Sequence, residues 1–248
     1  MTEIETLAGW LEASESNVAL TGAGVSTDSG IPDFRSANAG IWRDHDPMEV
    51  ASLGGFNADP RRFYAFWGHR FQALDDAPPN ATHTLLARLE AAGQLDAIVT
   101  QNIDGLHQRA GSTTVHEVHG AYRQARCLAC ERVESLDAVT DRILGGRLPI
   151  CQVCGGFVKP DVVLFGEQLP EAFSHATRAV KAAGVLLVLG SSLGVHPVAG
   201  LVPDAAESGA KVVLVNREAT PYDDIASLVI HTELMPFSEA LSKRMLGA

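Results

Sequence analysis

Four cysteines form two C-x-x-C pairs, and this spacing is typical of a metal site. They are the only cysteines among the 248 residues, and residues 131–150 separate the two pairs. Two such pairs can supply four thiolates to one tetrahedral zinc ion, and a closed four-thiolate set indicates a structural rather than a catalytic site. Two disulfides fit less well, because the N-terminal sequence contains no export signal and the cytosol keeps thiols reduced. The predicted zinc ligands are Cys127, Cys130, Cys151 and Cys154.

A second candidate site is the polar stretch 21–35, which holds three glycines and follows the apolar run 18–20. The run is typical of a buried strand, and glycines directly after a strand let backbone amides approach a ligand closely. A helix that begins nearby would direct its positive end at a phosphate group. Gly22-Ala23-Gly24 departs from the usual G-x-G-x-x-G fingerprint, so this stretch alone is equally compatible with a simple strand-to-helix connection.

The remaining pattern alternates strands and helices, which indicates an α/β fold with a doubly wound parallel sheet. Apolar runs predict strands at 18–21, 95–100, 115–118, 162–165, 185–189, 211–215 and 228–230. Helical spacing predicts helices at 3–15, 60–74, 82–92, 170–183, 198–208 and from 236 onward. Residues 36–57 are predicted to be irregular, and about 122–158 to form an insertion around the cysteines.

Small polar residues follow four of the predicted strands, at the point where each strand ends. They are Thr21-Gly22, Gln101-Asn102, Gly190-Ser191-Ser192 and Asn216. Ligands of open parallel sheets bind outside the carboxyl ends of the strands, so these residues are expected to face one crevice. This convergence favours a dinucleotide site more strongly than the glycine stretch does alone.

Composition limits the classes of function. The apolar fraction of 46% and the charged fraction of 20% are those of an ordinary globular protein. A net charge of −11 argues against a general nucleic-acid binder, which needs a basic face. The acidic start of the chain and the lack of a long apolar run argue against a secretory signal and a membrane span, and they predict a cytoplasmic protein.

Taken together, the motifs resemble those of the sirtuin family of NAD-dependent protein deacylases, in particular its short bacterial and archaeal members. The resemblance covers nearly the whole chain. It implies a single catalytic domain, 1–248, with a Rossmann-like sheet, a zinc ribbon near 122–158 and a helical part of the small unit near 36–80. The matching motifs, in order, are GAGVS at 22–26, IPDFR at 31–35, TQNID at 100–104, LHQRAG at 106–111, HG at 119–120, FGE at 165–167, GSSL at 190–193 and VN at 215–216.

The resemblance implies that NAD is consumed while an acyl group is removed from lysine. The acyl oxygen would attack the ribose carbon that carries nicotinamide, and an imidate would form. His119 would act as general base on a ribose hydroxyl, which suits an imidazole with a pKa near neutrality. Asn102 would be the second catalytic residue. The products would be free lysine, nicotinamide and O-acetyl-ADP-ribose, and the protein is expected to be a monomer that binds acylated protein substrates but neither nucleic acid nor membrane.

The resemblance also assigns binding residues. Val163, Phe165 and Gly166 would line the acyl-lysine tunnel and pair with the substrate backbone as an added strand. NAD contacts would come from Gly22, Ala23, Gly24, Ser26, Thr27, Ile31, Asp33, Phe34, Arg35, Gln101, Asn102, Ile103, Asp104, Gly190, Ser191, Ser192, Asn216, Arg217 and Leu234.

Other interpretations remain open at this point. His116 lies in the same segment as His119, and Asn102 and Asp104 could merely cap the following short helix. A mono-ADP-ribosyltransferase would use the same NAD site, and a non-catalytic NAD-binding module with a zinc ribbon belongs to a different class. A hydride-transferring dehydrogenase fits the glycine spacing poorly.

The acyl group is predicted to be acetyl, with longer apolar groups possible. Family members that remove acidic acyl groups carry a Tyr-x-x-Arg pair, and this chain has Tyr64 followed by Trp67 instead of arginine. An indole cannot pair with a carboxylate, so removal of succinyl or malonyl groups is disfavoured.

Overall fold

The computed structural model describes residues 2–33, 41 and 44–247, and its strands form two sheets. Six parallel strands form the large sheet in the order β3-β2-β1-β7-β8-β9. Three antiparallel strands form the small sheet in the order β5-β4-β6. The strands are β1 (Asn17–Thr21), β2 (Ala97–Thr100), β3 (Val115–Glu117), β4 (Gly120–Cys127), β5 (Val133–Ser135), β6 (Val158–Val162), β7 (Val185–Leu189), β8 (Lys211–Val215) and β9 (Leu228–Ile230).

Helices cover both faces of the large sheet. The α-helices are α1 (Glu3–Ala13), α2 (Pro47–Val50), α3 (Leu53–Ala58), α4 (Pro60–Asp76), α5 (Ala81–Ala91), α6 (Leu106–Arg109), α7 (Leu136–Leu144), α8 (Glu171–Ala182), α9 (Leu201–Glu207) and α10 (Leu234–Leu246). None of those in the described part of the chain has the length and apolarity needed to span a bilayer.

The large sheet is buried on both sides, which explains its continuous apolar runs. Every residue of β1, β2 and β7 is buried. On one face Leu11, Leu89 and Phe237, from α1, α5 and α10, pack against the sheet. On the other face Val180 and Val202, from α8 and α9, do the same. The strand order places β1 between β2 and β7, where the winding direction changes, so the prediction of a Rossmann-like doubly wound sheet is confirmed.

The small sheet carries the cysteines and packs against helices that come from earlier in the chain. Phe56 and Phe63, from α3 and α4, share a buried cluster with Tyr122, Leu136 and Val158. The small inserted unit that carries the four cysteines is therefore confirmed as part of the fold, whereas its limits near 122–158 and 36–80 stay predictions.

Two local expectations were wrong. The run 162–165 was expected to be a strand, but strand β6 ends at Val162 and belongs to the small sheet. The stretch 36–57 was expected to be irregular, yet its described part contains α2 and α3, which are capped by Asp46 and Ser52. Helices this short leave no clear apolar period in the sequence.

Two histidines are buried beneath the glycine stretch. His83 and His107 are 0% and 1% exposed, and their ring centroids lie 4.9 Å apart. Nε2 of His107 lies 3.0 Å from the Thr21 hydroxyl oxygen at the end of β1. Burial lowers the pKa of His83 to about 4 and that of His107 to about 3, where a charge on His83 would add to the effect. Both rings are therefore neutral in the folded protein near pH 7.

This pair is expected to make the fold sensitive to acid. In the unfolded chain each ring binds a proton as the pH falls below its ordinary pKa of 6.5, whereas the folded state resists protonation until about pH 4. The free energy of unfolding is therefore unaffected by these two rings above pH 6.5. Below pH 6.5 it decreases by about 1.4 kcal/mol per pH unit for each histidine. Urea unfolding of His83→Gln between pH 7.5 and 5 should show a shallower pH dependence than the wild type. The control is His69→Gln, which alters an exposed histidine, and an unchanged slope in His83→Gln would contradict the assignment.

Candidate active site

A cavity of about 420 Å³ opens at the carboxyl ends of β1, β2, β7 and β8. A volume of this size is ordinary for a small-molecule site. Phe34 and Arg35 lie outside the described residues. All the other predicted catalytic, NAD-binding and substrate-binding residues line this cavity, namely Gly22, Ala23, Gly24, Ser26, Thr27, Ile31, Asp33, Gln101, Asn102, Ile103, Asp104, His119, Val163, Phe165, Gly166, Gly190, Ser191, Ser192, Asn216, Arg217 and Leu234.

The floor of the cavity is formed by close contact between the turns that follow β1 and β7. The Gly24 amide donates a hydrogen bond of 2.9 Å to the Gly190 carbonyl oxygen. A Cβ atom at Gly22 or at Gly24 would lie only 2.8 Å from that same oxygen. Glycine is therefore required at both positions, since any side chain would separate the two turns. The 3-10 helix Ala23–Ser29 begins at this contact.

Three polar side chains form a buried network beside this floor. The side-chain nitrogen of Asn102, Nδ2, donates to the Gly22 carbonyl at 3.0 Å and to the Ser26 hydroxyl at 3.1 Å. Ser26 donates in turn to an Asp104 carboxylate oxygen at 2.7 Å. The other Asp104 oxygen accepts from the Leu106 amide, so Asp104 also holds the start of α6. Asn102 makes no such capping bond to α6, although it lines the cavity.

Asp104 is 4% exposed, and its environment affects its charge. Burial raises the pKa of Asp104 above its ordinary value of 3.8, while the Leu106 amide and the Ser26 hydroxyl oppose the rise by stabilising the carboxylate. The network thus brings together the Asp104 carboxylate as an acceptor, the Asn102 side-chain nitrogen as a donor and the Ser26 hydroxyl, which does both. Such a set suits the recognition of an amide or a ribose.

His119 lies where the two sheets join, between the end of β3 and the start of β4. Its Nδ1 lies 3.0 Å from the Gln101 carbonyl oxygen, which can only accept a hydrogen bond, so Nδ1 must donate. In the neutral ring Nε2 then carries the lone pair. Burial lowers the pKa of His119 below 6.5, and the bond to Gln101 partly opposes this shift. A neutral imidazole with a fixed tautomer can act as a proton acceptor.

The backbone geometry at position 120 explains why a glycine follows His119. Gly120 has φ of +76°, and a Cβ atom there would lie 2.1 Å from the Asp161 carbonyl oxygen. The His119 carbonyl accepts a hydrogen bond of 2.8 Å from the Val163 amide. Glycine therefore lets β6 approach closely enough for the segment after it to lie beside His119. His116, the other candidate, does not line the cavity and lies instead near His175, with their ring centroids 6.0 Å apart.

Helix α4 contributes a wall that the sequence only partly predicts. Trp67, Arg70, Phe71 and Leu74 lie on one face of α4 and line the cavity. Tyr64 does not, because it is 2% exposed and its hydroxyl donates to the Val158 carbonyl in the core of the small unit. Helical spacing predicted a helix at 60–74, and the aromatic residues Phe63, Phe66, Trp67 and Phe71 at that spacing are typical of a core or pocket wall, but the spacing could not show which of them face the cavity. Val195, His196, Pro197 and Glu167 also line it, although no sequence signal marked them as site residues.

The four cysteines lie together at one end of the small sheet. Cys127 and Cys154 place their sulfurs 3.4 Å apart, Cys130 and Cys151 place theirs 3.7 Å apart, and all four sulfurs lie within 4.8 Å of one another. Tetrahedral zinc with Zn–S bonds of about 2.3 Å separates its sulfurs by about 3.8 Å. The donor set and its spacing therefore fit one structural zinc ion.

Comparisons with known proteins agree on one family. The model of the Sir2 family matches residues 22–197. An NAD-dependent protein deacetylase of Cutibacterium acnes is 44% identical over 247 residues, which cover 98% of each chain. An enzyme with the same name from Sulfurisphaera tokodaii is 43% identical over 236 residues, or 95% of this chain and 93% of its own.

Solved structures give the same result in three dimensions. A Sir2 variant bound to a deacetylated p53 peptide and 3'-O-acetyl ADP-ribose superposes with a TM-score of 0.94 at 38% identity and covers 98% of each chain. A structure of Sir2Tm bound to a propionylated peptide gives a TM-score of 0.90 at 36% identity, again with 98% of each chain covered.

Proposed function

The chain belongs to the Sir2 family, and from this membership and its cavity we infer that it is an NAD-dependent protein-lysine deacetylase. The reaction consumes NAD and transfers the acetyl group of lysine to ADP-ribose. The observation that carries the assignment is His119, a half-buried histidine with a fixed tautomer in the same cavity as the polar ends of four parallel strands.

NAD, as the second substrate, supplies a ribose from which nicotinamide can depart. The cavity floor fits NAD, because the glycine contact between the turns after β1 and β7 leaves backbone rather than side chains there. Ser191, Ser192 and Asn216 are assigned to the adenosine half. Gln101, Asn102 and Asp104 are assigned to the nicotinamide amide and its ribose, which agrees with their hydrogen-bonding groups and with their position beside the cavity floor.

His119 is assigned as the general base. Its Nδ1 is occupied by the Gln101 carbonyl, so Nε2 takes the proton from a ribose hydroxyl. Burial keeps the ring neutral at cellular pH, which is the protonation state that a base needs. Asn102 fixes the geometry of the same region, since it bonds both the glycine turn and Ser26.

The acetyl-lysine peptide is assigned to the segment Val163, Phe165 and Gly166. Phe165 is 37% exposed although it lines the cavity, and Gly166 is also exposed. Both backbone groups of Phe165 are already bonded to Ala51 and Leu53, so a peptide that adds as a strand here would pair with the Gly166 backbone and direct its lysine side chain toward His119. The net charge of −11 supports a protein substrate rather than nucleic acid. We also assign a monomer as the active form.

A mass-spectrometric assay tests the assignment. An acetyl-lysine peptide is incubated with the enzyme in the presence and in the absence of NAD, and peptide, nicotinamide and O-acetyl-ADP-ribose are quantified. Loss of the acetyl group only with NAD, in equal amount to the two other products, is the expected result. NAD-dependent labelling of protein without deacetylation would instead establish ADP-ribosyl transfer, and NAD binding without any turnover would overturn the enzyme assignment.

Acyl selectivity gives a separate prediction. Acetyl and propionyl peptides should be processed, and a succinyl peptide about 100-fold more slowly, because the indole of Trp67 offers a carboxylate no cation. The guanidinium of Arg70, also in the wall, lies 3.9 Å from the centre of the Phe66 ring. The measurement is kcat/KM for the three peptides with the wild type and with Arg70→Ala. Efficient desuccinylation that disappears in Arg70→Ala would show that the prediction is wrong.

A further inference from the structure

Lys159 is a lysine with an unusual position, since it is only 7% exposed. Its ammonium group donates to the Pro160 carbonyl at 2.9 Å and to the Val162 carbonyl at 2.8 Å. The third contact is a Glu167 carboxylate oxygen at 3.1 Å. An ammonium group has three hydrogens, so every donor of this buried charge has a partner. Nothing in the reaction described above uses Lys159.

Glu167 joins this ammonium group to the segment that we assign to the peptide. The carboxylate oxygen that contacts Lys159 also accepts from the Leu164 amide at 2.8 Å. The Glu167 amide donates back to the Leu164 carbonyl at 3.0 Å. Residues 164–167 are thus closed into a turn, and the Glu167 carboxylate connects this turn to the Lys159 ammonium group.

The same segment is held at two further points. The Val163 amide donates to the His119 carbonyl at 2.8 Å. Phe165 uses both of its backbone groups, because its amide donates to Ala51 at 2.9 Å and its carbonyl accepts from Leu53 at 3.0 Å. The path of residues 163–166 is therefore fixed by His119 on one side, by the α2–α3 connection on the other, and by the Lys159–Glu167 pair from behind.

We propose that Lys159 and Glu167 are positioning residues that set the path of segment 163–166 so that the acetyl-lysine peptide can pair with it. The proposal rests on the deacetylase function. The pair acts through the segment rather than on the reacting atoms. Because the charges are largely removed from water, losing one partner leaves the other without compensation, and the turn relaxes. The peptide should then bind more weakly, while the part of the cavity assigned to NAD, at the ends of the large-sheet strands, stays intact.

A structural ion pair without this role would behave differently. Its loss would lower stability and would affect both substrates to the same extent. The critical readout is therefore the ratio between the change in KM for the peptide and the change in KM for NAD. A graded series at Glu167 adds a second readout, since glutamine keeps an acceptor oxygen for Lys159 and Leu164 whereas alanine removes it.

The experiment is steady-state kinetics with an acetyl-lysine peptide on folded full-length variants. Glu167→Ala and Lys159→Met should raise the peptide KM by about tenfold, which is a loss of about 1.4 kcal/mol in binding, with the NAD KM changed by less than about twofold. Glu167→Gln should recover most of the peptide affinity. The matched control is Lys181→Met, which breaks an exposed ion pair with Asp204, and since neither residue lines the cavity both KM values should stay unchanged.

Several outcomes would overturn the proposal. One is an unchanged peptide KM in Glu167→Ala while the wild type turns over normally. Another is an equal rise in both KM values, or a Glu167→Gln variant as defective as Glu167→Ala. Should Lys159→Met fail to fold, the two Glu167 variants decide alone. A wild-type enzyme that does not deacetylate would remove the premise, and the failure would then lie with the function itself.

Discussion

Replacing His119 by alanine is expected to lower the rate of deacetylation by about 10²–10⁴-fold, the usual contribution of a general base. The variant keeps the glycine floor and the Asn102–Ser26–Asp104 network, so it should still bind NAD. Single-turnover mass spectrometry measures the chemical step, and calorimetric titration measures NAD affinity. The expected combination is a large loss of rate with an NAD Kd within about threefold of the wild type.

His116→Ala provides the matched control for this experiment. His116 lies three residues earlier in the same segment but outside the cavity wall. This variant should retain the wild-type rate, because the His116 imidazole that it removes does not line the cavity. If His116→Ala were the inactive variant and His119→Ala the active one, the assignment of the base would be wrong.

Loss of one zinc ligand is expected to have the largest effect on stability. Cys130→Ser leaves three thiolates in the cluster, and structural zinc sites of this kind contribute roughly 10–16 kcal/mol to folding. The small unit should lose its packed structure, with a decrease in Tm of more than about 10 °C. Deacetylation should fall as well, because β4 runs from the residue after His119 to the ligand Cys127. Metal content by mass spectrometry and calorimetric unfolding are the measurements.

The control for the zinc prediction lies inside the second cysteine pair. Gln152 is exposed between Cys151 and Cys154 and supplies no ligand, so Gln152→Ser should keep both zinc and Tm. Chelation of the wild type should reproduce the Cys130→Ser behaviour, and added zinc should reverse it. A Cys130→Ser protein with full zinc content and an unchanged Tm would show that the cysteines do not hold the metal.

The sequence predicted those parts of the molecule that depend on local signals. Continuous apolar runs located β1, β2 and β7, because strands buried on both faces tolerate few polar residues. The carboxyl ends of parallel strands lie at the same edge, so Asn102 and Ser191 could be placed in one cavity without knowledge of the strand order. The C-x-x-C spacing likewise located the metal cluster, since its ligands lie close together in the chain.

The parts that the sequence did not predict depend on distant partners. The run 162–165 has the composition of a strand, but Phe165 makes its backbone bonds with Ala51 and Leu53 rather than with a sheet strand. Lys159 next to a proline is typical of an exposed loop, and only the folded chain buries it against Glu167. Helical spacing predicted a helix at 60–74, but it did not show that Tyr64 faces the core and Trp67 the cavity.

The two-sided character of α4 has a consequence for how such an enzyme can change during evolution or in the laboratory. One face of α4 packs into the small unit through Phe63 and Tyr64, while the other presents Trp67 and Arg70 to the cavity. The residues that we assign to NAD lie in the turns after the large-sheet strands and in the stretch 22–35, and none of them belongs to this helix. A library at positions 67 and 70 could therefore explore new acyl groups without altering a residue assigned to NAD, as long as the side chain at 67 still packs against Phe63 and Phe71.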